Sequence, residues 1–162
     1  MLRNLILRQL GRDDAVALML KGHIYVESEL RALLATMVKE PVFVDALPLK
    51  YRGMLEVAVR VGVMSKATSK AFFALDHLRN LIAHDAERDI VRADVLHIFE
   101  TLTAEVKEPF VEELYPTDRD DDFRELLRMT IVAMLLFLAR TAAACAKDSV
   151  RAELIGRNRS TV

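Results

Sequence analysis

Between Asp13 and Lys39 the apolar residues return at close to the 3.6-residue repeat of an α-helix, at Val16, Met19, Leu20, Ile24, Leu30, Leu33, Leu34 and Met37. A chain with this rhythm must bury one helical stripe against other helices, and the same rhythm continues along most of the 162 residues. Asp13 or Asp14 can cap this first helix, and Gly22 weakens it without breaking it. "EPVFVDALP" then interrupts the pattern with two prolines.

A second helix is expected over about 50–61, stopped at Gly62. Ser65 stands as the N-cap of a third, 66–84. After the loop "DAERDIVR", Asp94 caps a fourth that continues through Leu114 with Pro109 as a kink. The acidic turn "YPTDRDDD" places negative charge at the start of a long fifth helix, about 121–147. The fold class that follows is all-α, an antiparallel bundle of about five helices. Only 5 glycines and 4 prolines, with no tryptophan, fit that class, and 52% hydrophobic residues suffice for one core. Residues 1–12 read as an arm or short helix, 13–150 as the single helical domain, and 151–162 as a frayed tail.

Other classes are disfavoured by particular residues. Cys145 is a lone cysteine in an apolar run, a buried thiol suited to a reducing cytoplasm. The opening "MLRNLILRQLGRDD" spreads arginines through its apolar part, which makes a poor signal peptide. "MTIVAMLLFLA" is too short between Arg128 and Arg140 to span a bilayer, so no membrane partner is expected. A net charge of −1 supplies no general field for nucleic acid and leaves room only for a local contact. No cysteine–histidine cluster or phosphate-binding glycine loop is evident, so neither a metal nor another cofactor is expected.

The third helix carries the candidate chemistry. Ala71, Ala74, Leu75, Leu78, Leu81 and Ile82 fall on one side as the core face. Phe73, His77, Asn80 and His84 fall opposite, within an arc of roughly 60°. Such a stripe is either a solvated face with an incidental histidine pair or a contact surface marked by Phe73. Asn80 and His84, four apart, can touch, so the amide can orient the imidazole. Arg79 lies about 140° from His84, with Asp76 one turn earlier as an i, i+3 partner of little energetic weight.

Arg79-Asn80-Leu-Ile-Ala-His84 has the form R-N-x-x-x-H and resembles the signature of the HEPN superfamily. The preceding "KYRGMLEVAVRVGVMSKATSKAFFALDHLRNLIAHD" is similar to the mannitol-operon-repressor-like branch, and "ESELRALL" resembles that branch's first long helix. The resemblance covers Glu27 to Asp85, weakening towards Leu102. It implies a HEPN-like bundle and a metal-independent endoribonuclease, a toxin or defence effector with a composite site in a homodimer. His84 would then transfer protons as a 2′-hydroxyl attacks phosphorus, Arg79 would bind the phosphate, and Asn80 would support the geometry. Around them stand His77, Phe73, Asp76 and Glu27, of which Glu27, like Glu29, is either a reaching carboxylate or a solvated charge. RNA and a cognate antitoxin are the partners this implies. The same resemblance allows a non-catalytic regulator or scaffold, because members of that branch need not keep a working site.

Overall fold

The computed structural model describes residues 14–37, 49–85, 87–108 and 123–159, with side chains to Lys147. All its regular structure is helical: α1 (Ala15–Ala35), α2 (Tyr51–Arg60), α3 (Lys66–His84), α4 (Arg92–Thr101), α5 (Ala104–Lys107) and α6 (Phe123–Arg159). The expectations for residues 1–13, for the proline-bounded interruption, for Pro109 and for "YPTDRDDD" lie outside the described residues.

Local signals set several of the ends. Asp14 Oδ1 accepts the Ala17 N–H at 2.8 Å to start α1. Gly62, at φ +82°, turns the chain through the left-handed region that closes α2. Ser65 Oγ accepts the Thr68 N–H at 2.9 Å, and α3 spans Lys66–His84 as its sequence predicts.

Two expectations need correction. The single helix from Asp94 to Leu114 is broken at Leu102, whose extended backbone (φ −64°, ψ 130°) buries its side chain in the core before Thr103 leads into α5. The hydroxyl of Thr101 binds the Ile98 carbonyl at 2.7 Å, a local alternative to the helical ladder, and the hydroxyl of Thr103 pairs with that of Thr68 on α3 at 3.2 Å. Asp94 acts from inside α4, not as its cap: its Oδ2 accepts the Val91 N–H at 3.1 Å. The second correction concerns the end of the long fifth helix, expected near residue 147. α6 runs on to Arg159, because "DSVRAELIGRNR" contains no proline, and one glycine is a tolerable interruption.

The core is one cluster to which every helix but α5 gives several side chains; α5 gives Val106. α6 lies against α1, α4 and α5, while α3 packs on α1, α2 and α4. Leu127, Ile131, Val132, Ala133, Met134 and Leu138 are fully enclosed, so α6 is a core helix of the bundle. Phe123–Lys147 would also be long and apolar enough to cross a membrane, a property that buried helices share. Gly22 is fully packed beneath α6: a Cβ there would collide with the Ile131 side chain. The absence of a side chain lets α1 and α6 approach closely. Leu20, Ile24 and Met37, part of the periodic apolar set, are instead exposed, Ile24 by 62%.

Candidate functional site

His23 breaks the apolar stripe of α1. It follows Met19 by one turn and precedes Val26 and Leu30 at core spacing, and it is 4% exposed. An imidazole there needs a polar partner, because burial without one is costly. Asp76 of α3 supplies it: His23 Nε2 lies 3.3 Å from Asp76 Oδ1. The second oxygen, Oδ2, accepts from Arg52 Nε at 2.8 Å and from Asn80 Nδ2 at 3.2 Å. One buried carboxylate thus ties α1, α2 and α3 together.

Tyr51 completes the wall. Its ring centroid lies 4.5 Å from that of His23, and its hydroxyl donates to the Phe72 carbonyl at 3.4 Å. Burial pushes the Tyr51 phenol well above its usual range, with Asp76 and Glu27 adding negative potential. Burial likewise lowers the pKa of His23 from 6.5, against the opposing pull of Asp76 and Glu27. Desolvation prevails, which favours the neutral imidazole.

These side chains open onto a pocket of about 420 Å³. His23 and Glu27 line it from α1, Lys50, Tyr51 and Arg52 from the start of α2, and Asp76, Arg79 and Asn80 from α3. Arg79 is exposed and donates from Nη1 to Asn80 Oδ1 at 2.9 Å. Glu27 is paired with Arg31 at 3.7 Å.

The structure therefore divides the predicted site. Arg79, Asn80, Asp76 and Glu27 share the pocket, whereas His84, His77 and Phe73 do not line it. His84 and His77 are exposed; Phe73 is half-buried and packed on its own core, so it does not mark an open contact face. Asp76 is not a surface partner of Arg79. It faces inward, only 5% exposed, and its partners are His23, Arg52 and Asn80. On an ideal helix Asn80 lies about 40° from Asp76, and Arg79 about 60° in the opposite direction. The Asn80 amide is accordingly directed to Asp76 and Arg79, in place of the expected orienting contact to His84.

His23, Tyr51, Lys50 and Arg52 were not legible as site residues. Only His23 left a signal, a polar residue at core spacing in α1. Among the described residues no group of three or more histidine, cysteine, aspartate or glutamate side chains gathers to hold a metal. Comparison with family models, with curated proteins and with solved structures finds no match to this chain.

Proposed function

We propose that the chain is a HEPN-type endoribonuclease, a cytoplasmic toxin or defence effector that acts as a homodimer without a metal. The observation that carries this reading is the open pocket on a helical bundle where Arg79 and Asn80 meet. Arg79 offers a permanently charged fork for a phosphate. Asn80 fixes that fork through its own bond to Asp76. His84 is the proton-transfer group, exposed at the last residue of α3. The RNA 2′-oxygen gives up its proton and attacks the adjacent phosphorus. The bond to the 5′-oxygen breaks, and that oxygen takes a proton, leaving a cyclic phosphate. Because His84 does not line the pocket of its own chain, the reading calls for a second copy to complete the site.

Purified protein should cut single-stranded or loop RNA in the presence of a chelator and leave DNA, which lacks the attacking hydroxyl, intact. His84→Ala should slow cleavage by about a hundredfold or more at an unchanged melting temperature. Arg79→Lys should impair it too, since an ammonium cannot reproduce the planar fork. Intact RNA after incubation with wild type would remove the enzyme reading.

One observation favours the non-catalytic regulator or scaffold instead. Asn80 is bound into the network that joins α1, α2 and α3, as a structural clasp would be. In that case Asn80→Ala lowers the melting temperature and no RNA is cut by any form.

A further inference from the structure

His23 and Arg52 lie outside the R-N-x-x-x-H motif, yet both line the same pocket as Arg79. Arg52 is anchored through Nε to Asp76 while its side chain remains 58% exposed, so its terminal nitrogens keep donors for a ligand. Arg79 is exposed across the same pocket, and Lys50 adds a third cation. Of the two carboxylates on these walls, Asp76 is taken up by His23, Arg52 and Asn80, while Glu27 is ion-paired with Arg31 at 3.7 Å. The pocket therefore presents forked donors from two helices, and its three cations outnumber its two carboxylates, a set that suits an anion. Its volume of about 420 Å³ exceeds what a bare phosphate fills and falls within the range of small-molecule sites.

We propose that this pocket is a subsite for one phosphate ester of a nucleotide or RNA strand, held between Arg52 and Arg79 beside His23. Asp76 acts as the positioning residue, fixing Arg52 by one oxygen and His23 by the other. The inference rests on the ribonuclease reading for the source of the phosphate, and it adds to that site two residues from α1 and α2.

The test is an NMR titration of the full chain, following the His23 ring, with adenosine 3′-monophosphate and with adenosine as the phosphate-free control. The nucleotide should shift the His23 resonances with a dissociation constant on the order of a millimolar, and adenosine should not. Arg79→Gln, an exposed position, should weaken binding by about tenfold, as loss of a charge-assisted contact does. Arg52→Gln should do the same. Should that variant melt early, Arg52→Lys keeps the charge but loses the fork, and it should bind less tightly than wild type. Arg60→Gln, an exposed cation away from the pocket, should bind like wild type. An unmoved His23 at saturating nucleotide, or equal weakening by Arg60→Gln and Arg79→Gln, overturns the subsite. A 2′-deoxy strand that binds as well as the monophosphate marks an internal diester as the ligand; binding by the monophosphate alone marks a terminal phosphate. Cleavage is scored separately. Nucleotide binding with RNA left intact keeps the subsite and removes the ribonuclease reading, while RNA cut with His23 unmoved does the reverse.

Discussion

Asp76 has almost no access to water, and His23, Arg52 and Asn80 gather on its two oxygens. His23 senses pH from inside this arrangement. Burial lowers its folded pKa below 6.5, so between that lowered value and 6.5 the unfolded chain binds more protons than the folded one. The stability due to this group is complete above 6.5 and declines as pH falls through the window. Chemical denaturation at a series of pH values should show that decline in wild type and a flatter profile in His23→Gln. A profile that steepens in the variant would assign the sensitivity to another group. The motif was legible as far as Arg79 and Asn80 because six consecutive residues carry it. The partners of Asp76 were not, since His23 and Arg52 lie 53 and 24 positions away and only packing brings them in.

Among the elements, α1 and α6 form the most extensive helix pair. Gly22 of α1 lies directly against Ile131 of α6. On an exposed helix, alanine in place of glycine would stabilise by about 1 kcal/mol. Here the added methyl meets Ile131, which is fully buried and, being β-branched, is stiff about its first torsion. Overpacking of this kind costs about 1–3 kcal/mol, enough to outweigh the propensity gain. Gly22→Ala should therefore lower the thermal midpoint, and adding Ile131→Val should recover part of the loss. A raised midpoint in the single variant would mean that the two helices are not in contact there. The bounds of α3 were readable, since its cap at Ser65 and its apolar spacing are both local. The break at Leu102 was not, because that side chain is buried in the assembled core, which local spacing does not specify.

For the molecule as a whole, all-helical architecture was legible from apolar spacing alone, whereas self-association cannot be read from one chain. The composite reading places the exposed His77 and His84 at or near a contact between two copies. Sedimentation at tens of micromolar, roughly the range of modest association, should show a dimer. Only monomer at that concentration would leave His84 without a phosphate to act on. The pocket also has a thermodynamic consequence, because its walls come from three separate helices. A molecule that fits there binds the assembled bundle and not the unfolded chain, so occupancy and folding are linked. At a hundred times its dissociation constant such a molecule adds about 2.7 kcal/mol to stability. A melting curve can therefore sort candidate ligands for this chain without any measurement of turnover.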